Sequence, residues 1–149
     1  MAAMPNRTAV KFGHPETLIR DYRHWCVLLR PGQVTLGSLV LVSKDEAERF
    51  SDIASNAFAE LGPVVRDIEM GLAGFRPFDR INYLMLMMVD PDVHFHVIPR
   101  YGAAQDFEAV EFVDAGWPGP PHLGLAVTLD PEVRDRLLGA IRDAWPVRR

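Results

Sequence analysis

Asp92-Val93-His94-Phe95-His96-Val97-Ile98-Pro99-Arg100 is the stretch that decides how this chain is read. It is rich in β-branched and aromatic residues and bounded by Asp90-Pro91, so it reads as a strand over Val93 to Pro99. Alternate side chains of a strand share a face. Asp92, His94 and His96 therefore point one way, and Val93, Phe95 and Val97 point into the core. Two imidazoles and a carboxylate on one face are costly to bury unless they meet water, a partner or a ligand. The triplet has two readings at this point: hydrogen-bonded rim residues, or a chemical site.

Upstream, Ile81 to Met88 reads as the strand before it, with Asp90-Pro91 as the tight connection. Trp25 to Arg30 and Gly37 to Ser43 are continuous apolar runs that suit strands covered on both faces, with Pro31-Gly32 turning between them. Between these pairs the period changes. Phe58, Leu61, Val65, Ile68, Leu72 and Phe75 recur at helical spacing and predict one long amphipathic helix. Ser55 and Asn56 offer N-cap chemistry, Gly74 lies near the end, and Pro63 calls for a kink or a helix start close to it. Glu108 to Val113 reads as a further short strand. Trp117 to Pro121 is a proline-rich loop that cannot join a sheet. Asp130-Pro131 opens a second helix running to about Trp145. Strands, a long helix, more strands and a terminal helix make an α+β fold with an antiparallel sheet of about five strands.

The 149 residues, 48% hydrophobic and 24% charged, read as a single domain spanning 1–149. A chain of this length buries roughly 68–70% of its unfolded surface, enough for one core. Cys26 is the lone cysteine, so a disulfide scaffold is excluded; its apolar setting marks a buried, inert thiol. The net charge of −4 argues against duplex nucleic acid as a partner, since neutralising phosphates needs a basic face. No apolar run approaches the ~20 residues of a membrane span, and no basic-then-apolar leader opens the chain. The expectation is a cytoplasmic protein with no membrane partner.

His94-Phe-His-Val-Ile-Pro-Arg100, preceded by Ile81-Asn-Tyr-Leu84, resembles the histidine triad (HIT) family of nucleotide hydrolases and transferases, whose signature is His-φ-His-φ-His-φ-φ, φ being hydrophobic. Phe12-Gly13 and Gly37-Ser-Leu-Val-Leu-Val-Ser-Lys44 fall in the order of that family's segments, and the resemblance covers most of residues 12–101. It implies a HIT-like fold and a two-step reaction on a nucleotide phosphoester, phosphoanhydride or phosphoramidate. The family's nucleophile falls on His94, which would form a covalent nucleotidyl-histidine. His96 would hydrogen-bond the phosphate or protonate the leaving oxygen. The resemblance brings Arg30, Ser38, Asn82 and Arg100 into the candidate substrate site, implies no metal or other cofactor, and suggests a homodimer. The first triad position is Asp92, Ser38 stands where the family has a histidine, and the Gly-rich loop before the triad is absent, with Met87-Met88-Val89 running almost directly into Asp90-Pro91.

A carboxylate close to an imidazole raises its pKa. In an active site Asp92 is therefore expected to pair with His96, leaving His94 neutral. Arg30, at a strand end, is read as a fork-shaped donor to phosphate or carboxylate. Met85, Met87 and Met88 read as core, with an adaptable pocket as the other reading. Trp117 to Pro121 is expected as a lid over the site, and His14, His24 and His122 as incidental. Two rival readings stand beside the HIT enzyme. One is a non-catalytic nucleotide-binding HIT dimer; the other is a metal-dependent enzyme with Asp92, His94 and His96 as ligands.

Overall fold

A computed structural model describes residues 5–147. Its framework is a five-stranded antiparallel sheet in the order β1-β2-β4-β6-β5, built from β1 (Leu18–Asp21), β2 (Trp25–Leu29), β4 (Leu39–Ser43), β6 (His94–Arg100) and β5 (Arg80–Leu84). Both central apolar runs are buried along their whole length, as expected of strands covered on two faces. Trp25, Val27, Leu29, Leu39, Leu41 and Val97 face the larger core, which α2 (Ser55–Phe75) and α3 (Pro131–Ala144) close. Cys26, Leu28, Val40 and Val42 face the opposite side, where the short helix α1 (Arg7–Lys11) and its flank lay Ala9 and Phe12 over the sheet. The fold is α+β, with a long helix on the sheet and a C-terminal helix packed beside it.

Several boundaries differ from the sequence reading. The helix α2 starts without a side-chain cap from Ser55 or Asn56; Ala54 is the N-cap, and its N–H donates to the Asp45 carboxylate at 2.7 Å. It runs through Pro63 without starting there. Its buried face is Ala57, Val64, Ile68, Gly71 and Leu72, rotated from the predicted stripe, and Phe58 is left exposed. The rotation follows from close packing on α3: a Cβ on Gly71 would lie 2.4 Å from the Trp145 ring, so the helices approach at a residue with no side chain.

β5 ends at Leu84, four residues earlier than Met88, because Met87 adopts a left-handed φ of 56° that no strand can hold. Glu108 and Ala109 are not strand residues either. Both have positive φ (50° and 63°) and turn the hairpin between β7 (Gln105–Phe107) and β8 (Val110–Phe112). Gly32-Gln33 forms β3, which pairs with β9 (Val127–Thr128) in a separate two-stranded sheet, so the link from β2 to β4 is wider than a Pro31-Gly32 turn. Gly37 (φ +92°) makes the bend that re-enters the main sheet.

Candidate active site

Two registers build the site. Val42 lies opposite His94 and Val40 opposite His96 on β4, while Leu84 lies opposite His96 on β5. Both imidazoles therefore stand in mid-sheet on the face covered by α1, and they are 2% and 8% exposed. Phe12, just past the end of α1, meets both rings, with centroids 6.0 Å from His94 and 5.8 Å from His96. The two imidazoles meet edge to face at 5.2 Å.

His94 Nδ1 lies 2.7 Å from the backbone carbonyl oxygen of Asp92. A carbonyl only accepts, so Nδ1 is the protonated nitrogen and the neutral ring carries its lone pair on Nε2. His96 is set by a different partner. Arg30 Nε lies 3.4 Å from His96 Nδ1. A guanidinium nitrogen only donates, so Nδ1 holds the lone pair and Nε2 the proton. Burial first, then the positive charge of Arg30 and the repulsion between two protonated rings that His94 would add, push the His96 pKa down to about 4, with Asp90 acting the other way. Arg30 is itself anchored, donating from Nη1 to the Gly32 carbonyl at 2.5 Å.

The pairing expected for Asp92 does not occur. β6 begins at His94, so the strand alternation that would put Asp92 beside the histidines stops short of it. Its carboxylate turns toward α1, accepting from the Thr8 hydroxyl at 2.8 Å and lying 3.8 Å from Arg7 Nε. Asp92 serves the site through its main-chain carbonyl alone, and His96 is driven toward neutrality, opposite to the expectation. The same rotation removes the metal triad: among the described residues, no group of three or more His, Cys, Asp or Glu is placed to hold a metal ion.

The cleft in front of the histidines has a volume of about 300 Å³. Lys11, Phe12 and Arg30 line one side and the segment 86–90 the other. Lys11 is a site residue that the sequence reading missed. It lies in a five-residue helix too short for periodicity to reveal, and only the Asn6 N-cap, bonded to Ala9 N at 2.9 Å, signals that helix. Lys11 Nζ pairs with Asp90 Oδ1 at 2.7 Å across the cleft mouth. Met85 and Met87 pack against the larger core, as read, while Met87 and the exposed Met88 also line the cleft, as the pocket reading has it.

Ser38, Asn82 and Arg100 are not brought to this cleft. Ser38 is fully buried, its hydroxyl donating to the Thr35 carbonyl at 2.8 Å and accepting from Thr35 N at 3.0 Å. Arg100 lies on the histidine face but four residues further along β6, roughly 13 Å away. Its guanidinium is locked to Asp114 by bonds of 2.6 and 2.9 Å and to Asn82 Oδ1 by one of 2.8 Å. This network floors a second cavity of about 720 Å³, walled by Asp79, Arg80 and the loop from Trp117 to Pro120. The proline loop therefore covers the Arg100 end and forms no lid over His94. The second cavity is larger, but it lacks an imidazole or thiol, whereas the smaller one is lined by two buried imidazoles beside Lys11 and Arg30.

No protein-family model matches the chain, and no curated protein matches it by sequence. Solved structures do match. A histidine triad (HIT) protein from Sinorhizobium meliloti superposes with a TM-score of 0.75 at 19% identity, covering 96% of this chain and 97% of that one. A histidine triad protein from Bradyrhizobium japonicum gives 0.73 at 21% identity, covering 97% and 99%. Diadenosine triphosphate hydrolase from Plasmodium falciparum gives 0.64 at 8% identity, covering 87% and 76%. The chain therefore has the fold of the histidine triad proteins.

Proposed function

We propose that the chain binds a nucleotide phosphate in the cleft between Phe12 and the segment 86–90 and transfers its nucleotidyl group through His94. The observation that carries this reading is the 2.7 Å contact from His94 Nδ1 to the Asp92 carbonyl, which leaves Nε2 as the nucleophilic lone pair. That nitrogen attacks the α-phosphorus; an N–P bond forms as the P–O bond to the leaving group breaks. The positive charge gained by the ring is stabilised through the same carbonyl. Arg30 and Lys11 supply the cations that a phosphate needs. Water then attacks phosphorus and gives up a proton to solvent, the N–P electrons return to Nε2, and the nucleotide leaves with the water oxygen. The Plasmodium neighbour is named for hydrolysis of diadenosine triphosphate, a reaction of the same type.

The test is to mix the protein with nucleoside polyphosphates and adenosine phosphoramidates, quench in base, and record the intact mass. A nucleotidyl adduct that disappears in His94→Ala supports the mechanism. Binding by calorimetry with no adduct and no turnover assigns the chain instead to nucleotide binding without catalysis. A two-fold dimer belongs to the same proposal. β5 is an edge strand, and Leu86, Met88 and Val89 beyond it are exposed. Sedimentation equilibrium at micromolar concentration tests it. Among the described residues no helix is long and apolar enough to cross a membrane.

A further inference from the structure

We infer that Arg30 is a positioning residue that holds His96 as the neutral Nε2–H tautomer, and so restricts turnover to substrates whose leaving group departs as a stable anion. The inference rests on the proposed reading of the cleft and narrows its substrate class from three kinds of phosphate bond to phosphoanhydrides. A histidine beside a reacting phosphate has two modes. As imidazolium it can give a proton to the leaving atom; as neutral imidazole it can only donate a hydrogen bond.

Here the choice is made by geometry. Arg30 Nε faces His96 Nδ1 at 3.4 Å, and the guanidinium is kept there by its bond to the Gly32 carbonyl and by the end of β2. A proton on Nδ1 would meet that donor head-on, so the doubly protonated ring is disfavoured by sterics and by charge together. Every other charged group facing the ring is accounted for. Lys11 opposes a second proton as Arg30 does, and His94 opposes it whenever its own ring is protonated; Asp90 favours one, but its carboxylate is engaged by Lys11. Asp92, the carboxylate nearest in sequence, is held by Thr8. Lys11 is the remaining proton carrier at the cleft, and its ammonium is tied to Asp90.

The first step then needs no proton transfer. His94 Nε2 gives its lone pair to phosphorus, the P–O bond breaks, and its electron pair leaves on the departing phosphate or nucleotide oxygen. That suits an anhydride, whose leaving group is a stable anion. It does not suit a phosphoramidate, whose amine needs a proton to depart. Arg30 Nη2 makes no bond to the described residues and remains available to a phosphate oxygen.

The test separates this inference from the function it rests on. Long-range nitrogen–proton NMR at neutral pH reads the His96 tautomer without any substrate. The expected result is Nε2–H, with a titration midpoint at least one pH unit below 6.5 that moves up by at least a unit in Arg30→Met. An Nδ1–H tautomer, or a midpoint that Arg30→Met leaves in place, overturns the inference whatever the protein turns over. In parallel, diadenosine triphosphate and adenosine 5′-phosphoramidate are compared by kcat/KM at pH 6. The wild type should favour the anhydride at least tenfold, and Arg30→Met should narrow that ratio. A wild-type preference for the phosphoramidate refutes the leaving-group claim. Turnover of neither, with the NMR result as expected, refutes the proposed function and the substrate restriction with it, while Arg30's hold on His96 stands.

Discussion

Replacing Asp114 with alanine removes the carboxylate that pairs with the buried guanidinium of Arg100. The pair's side chains are 4% and 1% exposed, and the carboxylate accepts two bonds from Arg100, of 2.6 and 2.9 Å, and one of 3.3 Å from Tyr101 N. Truncation leaves a buried charge with Asn82 Oδ1 as its remaining bonded acceptor. Breaking a pair of this kind costs about 3–5 kcal/mol, far more than an exposed ion pair is worth. For a chain of this length that corresponds to a fall of roughly 6–20 °C in Tm. Urea unfolding followed by tryptophan fluorescence measures it, with an unchanged slope confirming that the native state alone was altered. The double variant Arg100→Met/Asp114→Leu replaces the pair by apolar groups and should recover most of the loss. It should also leave nucleotide binding at the histidine cleft intact, because Arg100 is a clamp between β6 and the segment after β8. A cost for Asp114→Ala below about 1 kcal/mol, or lost nucleotide binding in the recovered double variant, would refute this reasoning.

Three further outcomes are expected. Gly71→Ala should destabilise by about 1–3 kcal/mol, since its new methyl would overlap the Trp145 ring, and a double-mutant cycle with Trp145→Leu should show coupling between the two positions. Cys26, 3% exposed with burial pushing its pKa up to about 12, should resist alkylation at pH 8 until the protein unfolds; rapid native labelling would place the thiol elsewhere. His96 should make the fold acid-sensitive. Its folded pKa, about 4, lies below the unfolded value near 6.5, so the unfolded chain takes up the proton first and stability falls as pH drops through that window. The loss is at most about 3 kcal/mol, and the wild-type minus His96→Gln difference in unfolding free energy between pH 7 and 4 isolates it.

The parts of this molecule legible in its sequence are those fixed by local pattern. The buried runs of β2 and β4, the strand carrying the histidines, and the Asp130-Pro131 start of α3 all lie close to where composition places them. What escaped reading depends on contacts between distant segments. The face of α2 is set by Trp145, 74 residues beyond Gly71, which a hydrophobic stripe cannot register. β1, β3 and β9 are too short to show a period, and Glu108-Ala109 forms a left-handed turn without the glycine that would announce one.

The site divides along the same line, and the division bears on its chemistry. Alternation correctly puts His94 and His96 on one face, because both lie inside β6. It fails at Asp92, two residues earlier, where the chain has left the sheet and its side chain belongs to α1. One consequence is that the Asp92 carboxylate and the Asp92 carbonyl act on different neighbours: Thr8 and Arg7 take the first, His94 the second. A main-chain carbonyl is present whatever residue occupies position 92. The hydrogen bond that orients His94 therefore does not require a histidine there, provided something else holds the backbone in place. Thr8 does so by tying the Asp92 side chain to α1. Thr8→Val keeps the shape and removes the hydroxyl, leaving the carboxylate with the weak 3.8 Å contact to Arg7. It should lower stability by about 1–3 kcal/mol. It should also slow formation of the His94 adduct more than it weakens nucleotide binding, because the imidazole loses its fixed orientation while the cleft cations remain. An equal loss in both would mean that Asp92 merely supports the fold, and that His94 is oriented by the packing of Phe12 alone.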